Sequence, residues 1–184
     1  MTAMTKLKVA LLQTELAWEN PEANLRMLQR NLAKLPAEID LVVLPEMFST
    51  GFTMERVQQF SKIHEGAICG SFAAEQSENY FNRFFWVENG KCLYQYDKRH
   101  LFRMAEENNV YSQGEDDVRI EFKGWKIMPR VCYDLRFPVW SRSNDIDLQI
   151  YVANWPSMRV SAWDKLLLAR AIENQCYVIG VNRI

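Results

Sequence analysis

Four stretches of this chain, residues 39–44 (IDLVVL), 67–73 (AICGSFA), 148–153 (LQIYVA) and 176–181 (CYVIGV), are apolar at nearly every position rather than at every second one. Short apolar runs of this kind read as strands buried on both faces, so the fold must lay structure against each side of a sheet. Residues 7–13 (LKVALLQ) form a fifth such run. Between it and residue 39, Asn20-Pro21-Glu22 supplies a cap residue, a proline in the first turn and an acid, the signature of a helix start. Leu25, Leu28, Leu32 and Leu35 then recur at helical spacing on one face. The opening is therefore strand–helix–strand.

Residues 82–88 (NRFFWVE) and 92–96 (CLYQY) flank Asn89-Gly90, a strong hairpin signal. Residues 118–122 and 125–128 flank Lys123-Gly124 in the same way, and residues 161–175 carry Leu166, Leu167, Ala169, Ala171 and Ile172 of a second helix. Two helices among apolar strands and hairpins predict a mixed α/β fold. A length of 184 residues suits one domain, 1–184. Hydrophobic residues at 48%, charged residues at 24% and a net charge of -1 fit a soluble globular protein. Lys and Arg are scattered, so no nucleic-acid surface is expected. The apolar runs are too short for a bilayer and residues 1–8 lack a signal-peptide core, so a cytoplasmic enzyme or binding domain is expected, with no membrane partner.

Three groups stand where strands end in polar sequence. Cys132 follows residues 127–131 and precedes Tyr133-Asp134-Leu135-Arg136-Phe137-Pro138. A thiol there can be presented by a turn, with the next backbone N–H aimed at a developing oxyanion; it can equally be a buried structural cysteine. Glu46, in Leu44-Pro45-Glu46-Met47-Phe48, is a candidate general base if buried and an ordinary surface acid if not. Lys98, in Tyr96-Asp97-Lys98-Arg99-His100-Leu101-Phe102, could give positive charge to a thiolate or oxyanion, or be a solvated loop cation. His100 reads as a packed histidine, and Cys69, Cys92 and Cys176 as packing thiols. With no C-x-x-C pair and only two histidines, no metal site is expected.

Together, Leu-Pro-Glu-Met-Phe (44–48), Tyr-Asp-Lys-Arg-His-Leu-Phe (96–102) and Val-Cys-Tyr-Asp-Leu-Arg-Phe-Pro (131–138) resemble the nitrilase superfamily of carbon–nitrogen hydrolases in order and setting. The resemblance runs from Lys8 to the end of the chain and includes Val-Ala-Asn-Trp-Pro (152–156) and the segment 169–175. The wording of 46–52 and 97–104 is similar to the omega-amidase branch, which acts on 2-oxoglutaramate and related 2-oxo amides. The resemblance implies an αββα sandwich, a dimer or larger homo-oligomer, no cofactor, and a catalytic triad of Glu46, Lys98 and Cys132. It assigns a supporting acid after the lysine, which fits Glu107 best with Glu106 a rival.

Expected substrate contacts are Tyr133 through its backbone N–H, Phe48, Phe102, Asn154 and Trp155, with Arg136 or Arg103 as the cation for a substrate carboxylate. The chain departs from the family pattern in two places. Only residues 55–66 stand where the family has a full helix, and the chain ends at Ile184 where the family continues into further strands. The expectation is thus a domain lacking one helix and the C-terminal strands. The same motifs also suit a nitrile or N-carbamoyl substrate, and a non-catalytic scaffold or inactive fragment is the reading from another class.

Overall fold

Alternation along the buried strands sorts their side chains into two separate apolar layers. The computed structural model describes residues 5–18, 20–48 and 66–184. One sheet runs in chain order: β1 (Val9–Leu11), β2 (Leu41–Val43), β3 (Ala67–Gln76), β4 (Asn79–Glu88) and β5 (Lys91–Asp97). Its first three strands are parallel and its last three form an antiparallel meander. A second sheet holds β6 (Ile120–Phe122), β7 (Trp125–Val131), β8 (Leu148–Ala153) and β9 (Tyr177–Asn182), the last three parallel.

Leu41, Val43, Cys69, Phe84 and Trp86 meet Ile127, Val131, Ile150 and Val152 between the two sheets. Their sequence neighbours Val42, Leu44, Ile68 and Phe85 point the other way, onto Leu25 and Leu28 of helix α1 (Pro21–Leu32). Asn20 caps α1 by accepting a 3.0 Å hydrogen bond from the Ala23 amide. A short helix, α2 (Pro138–Ser141), precedes β8, and α3 (Val160–Asn174) covers the second sheet. Trp163 and Leu167 of α3 approach β9 so closely that a Cβ on Gly180 would come within 2.7 and 2.5 Å of them. The layers are therefore helix, sheet, sheet, helix: the αββα sandwich expected.

Several boundaries moved. The third strand and the hairpin after it run on through Gln76 and Asn79, paired across Ser77-Glu78. Both turn residues are left-handed (φ 51° and 64°), a job usually given to Asn or Gly, so the sequence carried no turn signal there. The expected turns at Asn89-Gly90 and Lys123-Gly124 have positive φ at all four residues. The run at 7–13 pairs only over β1, and the second helix starts at Val160 and ends against the left-handed Gln175. The expectation of a missing helix rests on residues 55–66, of which 55–65 lie outside the described residues.

Candidate active site

The ends of β2, β5, β7 and β8 bring the site together. Glu46 follows β2, and the left-handed Met47 (φ 51°) turns the chain immediately after it. Lys98 follows β5. Glu107 opens a 3-10 turn (Glu107–Asn109) behind the left-handed Glu106 (φ 56°). Cys132 follows β7, is itself left-handed (φ 45°), and opens a 3-10 turn (Cys132–Arg136). A non-glycine residue in that region persists only where its surroundings hold it. Here Asp134, fully buried, does so: its carboxylate accepts from the Val131 amide (3.0 Å), the His100 amide (2.9 Å) and the Tyr96 hydroxyl (2.7 Å). It thereby ties the Lys98 loop to the Cys132 turn. From the other side, Arg170 of α3 donates twice to the Leu135 carbonyl and pairs with Glu173.

The Lys98 ammonium is buried (2% exposed) between two carboxylates. It donates to Glu46 Oε1 (2.9 Å) and to both oxygens of Glu107 (2.9 Å each). Asn82, on β4, donates its Nδ2 to the same two acids, at 2.7 Å to Glu46 Oε1 and 3.3 Å to Glu107 Oε1. The Asn154 amide donates to Glu46 Oε2 (2.7 Å) and the Phe102 amide to Glu107 Oε2 (2.6 Å). Both carboxylates are thus held by N–H donors from Lys98, Asn82 and the backbone. Burial alone would pull the Lys98 ammonium down, but the Glu46 and Glu107 charges beside it outweigh that and leave the group raised and charged.

The Cys132 thiol is pushed well up, first by burial and then by the Glu46 charge beside it, against the opposing pull of Lys98. The resting sulfur is therefore a thiol rather than a thiolate, with the Glu46 carboxylate beside it. Tyr133 lies in the first turn of the 3-10 helix, where a backbone N–H has no intrahelical acceptor and is available to an oxyanion.

Cys132 opens onto a cavity of about 230 Å³ walled by Phe102, Tyr133, Arg136, Asn154 and Trp155, together with Ala105, Pro156, Arg159 and Arg183. Five of the six expected substrate-contact residues are thus at one cavity. Phe48 is not: it is buried (1% exposed) in the α1-side layer, its ring 6.0 Å from that of Phe85. The left-handed Met47 directs the chain away from the cavity, which corrects the expectation that Phe48 forms a pocket wall. Arg103 does not line the cavity, whereas Arg159, from the loop before α3, does. Asn82 and Asp134 were not singled out from the sequence. Asn82 reads locally as one polar residue opening a strand, and only the β3–β4–β5 pairing brings it beneath Glu46. Among the described residues no cluster of His, Cys, Asp and Glu could hold a metal ion, and no helix is long and apolar enough to cross a membrane.

A thiol, a carboxylate base and a buried ammonium at the strand ends of an αββα sandwich describe the equipment of a thiol-dependent hydrolase. The chain belongs to the carbon–nitrogen hydrolase family, whose model matches residues 8–184. It is 47% identical to the omega-amidase YafV of Escherichia coli K12, with 98% of this chain and 76% of that protein covered. It is 28% identical to the 2-oxoglutaramate amidase of Bacillus subtilis, over 96% of this chain and 76% of the relative. Among solved structures it superposes on a CN-hydrolase superfamily protein of Xanthomonas campestris, described with an arsenic adduct in its active site. The TM-score is 0.94 and the identity 39%, covering 98% of this chain and 77% of the other.

Proposed function

We propose that this protein is an omega-amidase: it hydrolyses the terminal amide of 2-oxoglutaramate or a similar 2-oxo acid amide to the acid and ammonia. The observation that carries the reading is the Lys98 ammonium held by Glu46 and Glu107 beside a protonated Cys132 on a small cavity. The omega-amidase and 2-oxoglutaramate amidase relatives support the substrate class.

Amide resonance makes the carbonyl carbon a poor electrophile, so the site must raise the nucleophile and stabilise the new charge together. Glu46 takes the Cys132 proton as the sulfur attacks the amide carbon. The tetrahedral oxyanion is met by the Lys98 ammonium and the Tyr133 backbone N–H. Glu46 returns the proton to the departing nitrogen, ammonia leaves and a thioester remains on Cys132. Glu46 then deprotonates water, which attacks the thioester and releases the acid and the thiol. Glu107 keeps Lys98 charged and in place throughout. No cofactor enters the scheme.

Four unpaired cysteines and a thiol nucleophile suit a reducing compartment, and we assign the protein to the cytoplasm. The outward face of α3 leaves Leu168 and Ile172 64% and 76% exposed, an apolar strip that a second copy of the chain would cover. Light scattering should then give a dimer or larger. Function is tested by ammonia release from a panel of 2-oxo amides, plain amides, N-carbamoyl compounds and nitriles. The reading predicts turnover of the 2-oxo amides above all others; preferred turnover of a nitrile or carbamoyl compound overturns it.

A further inference from the structure

We propose that Asn182 is a positioning residue for the reaction: its side-chain amide holds the Asn154-Trp155 backbone where the Asn154 N–H grips the general base Glu46. This rests on the amidase reading and adds to it a residue that acts through others. The parallel pairing of β8 with β9 has its last rung at Ala153 and Asn182. Beyond that rung the Asn182 side chain continues the ladder in place of a peptide unit. Its Oδ1 accepts from the Trp155 amide (2.7 Å) and its Nδ2 donates to the Trp155 carbonyl (3.1 Å). A backbone N–H only donates and a carbonyl only accepts, so this pair of bonds needs one side chain that carries both an acceptor and a donor. Aspartate brings no donor, and alanine neither group.

What is held there reaches the base. Lys98 and Asn82 both donate to Glu46 Oε1, whereas among the described residues the Asn154 N–H, at 2.7 Å, is the only N–H donor to Oε2. The Glu46 backbone amide in turn donates to the Ala153 carbonyl (3.4 Å), which also accepts from the Arg183 amide (3.2 Å). Strand ends of both sheets, β2 from one and β8 and β9 from the other, therefore meet at one carbonyl. The aim of the Glu46 carboxylate follows from where residues 153–155 sit. The Trp155 ring is fixed separately: its indole N–H donates to the Arg159 carbonyl (2.9 Å), and the ring lies 5.2 Å from that of Trp163. Loss of the Asn182 amide thus frees the backbone at Asn154 while the indole stays seated in the cavity wall. The expected fault is a misaimed base rather than a lost binding surface, and a displacement of about 1 Å in such a group costs on the order of 100-fold in rate.

The test measures kcat and KM for a 2-oxo acid amide in Asn182→Ala, Asn182→Asp and Val178→Ala. Asn182→Asp keeps the size of the side chain but sets an oxygen against the Trp155 carbonyl. Val178→Ala thins the core packing of the same strand and gauges a merely structural loss. In both Asn182 variants kcat should fall by about 10–100-fold while KM changes by less than about threefold. Val178→Ala should melt earlier than wild type and keep its kcat. Wild-type kcat in Asn182→Asp, or an equal kcat loss in Val178→Ala, overturns the assignment and leaves the amidase reading intact; if Asn182→Ala does not fold, Asn182→Asp decides alone. If wild type releases ammonia from no amide, the amidase reading fails. Positioning is then read from alkylation of Cys132 by iodoacetamide, in which Glu46 takes the thiol proton. A slower rate in Asn182→Asp than in wild type and Val178→Ala supports it, and an equal or faster rate overturns it.

Discussion

Replacing Lys98 by methionine isolates the buried charge. The side chains are similar in length, so packing is largely kept, while three hydrogen bonds of 2.9 Å to Glu46 and Glu107 are lost from a group only 2% exposed. Two neighbouring carboxylates are then left without their cation. Removing one partner of a buried ion pair costs about 3–5 kcal/mol. In a domain of this size that corresponds to a fall in Tm of roughly 6–20 °C. The Asn82, Asn154 and Phe102 donors remain and soften the loss towards the lower end. Turnover should fall by about 100–1,000-fold or more through loss of an oxyanion donor. The double variant Lys98→Met with Glu107→Gln should regain stability but not activity. Calorimetry and steady-state ammonia release read the two effects separately. A Lys98→Met protein that melts with wild type and turns over normally refutes both the charge balance and the catalytic assignment.

Further outcomes follow from the same geometry. Asn82→Asp puts a third carboxylate against Glu46 and Glu107 at nearly constant volume, and should move the acid limb of the pH–rate profile upwards; Asn82→Leu should lower kcat more than it raises KM. An unchanged profile in Asn82→Asp would remove Asn82 from the network. Tyr151 is pushed up to about 12, chiefly by burial. Its folded value is raised, so its contribution is complete below the unfolded value of about 10 and is lost as pH rises towards 12. Denaturant melts should show stability falling across that window, and Tyr151→Phe should flatten the slope; an identical slope contradicts the assignment. Arg170→Met strips two donors from the Leu135 carbonyl behind the nucleophile turn and strands Glu173. It should cost about 1–3 kcal/mol in unfolding free energy and lower kcat; wild-type stability would show that the turn does not depend on it. Cys132 is buried with its thiol pushed up, whereas Cys92 and Cys176 are half-exposed. A charged or bulky alkylating agent should therefore label Cys92 and Cys176 first, and only a small amide-like agent should favour Cys132; uniform preference for Cys132 would contradict its burial.

Much of the site was legible because Glu46 and Cys132 each follow a buried apolar strand, β2 and β7, which leaves few places for polar side chains except the sheet ends. Lys98 follows the alternating, half-exposed β5 and stood out only as a charged cluster between aromatics. The supporting residues were not legible for a different reason. Asp134 holds both the Lys98 loop and the Cys132 turn, and Asn82 bridges two acids 36 and 25 positions away; these links exist only after the strands have paired. Phe48 shows the limit of reading by proximity. It lies two residues from Glu46, yet one left-handed residue between them sends it to the opposite side of the sheet. The Ser77-Glu78 turn shows the limit of turn chemistry, since the long β3–β4 ladder imposes a conformation that those residues do not favour by themselves.

The central claim is that the sulfur of Cys132 becomes acylated during turnover. Acid-quenching the protein with a 2-oxo acid amide and measuring peptide masses tests it directly. The mechanism predicts an acyl increment on the peptide carrying Cys132, lost on alkaline hydroxylamine treatment, and neither adduct nor ammonia from Cys132→Ala. Ammonia release by Cys132→Ala at the wild-type rate would contradict it outright.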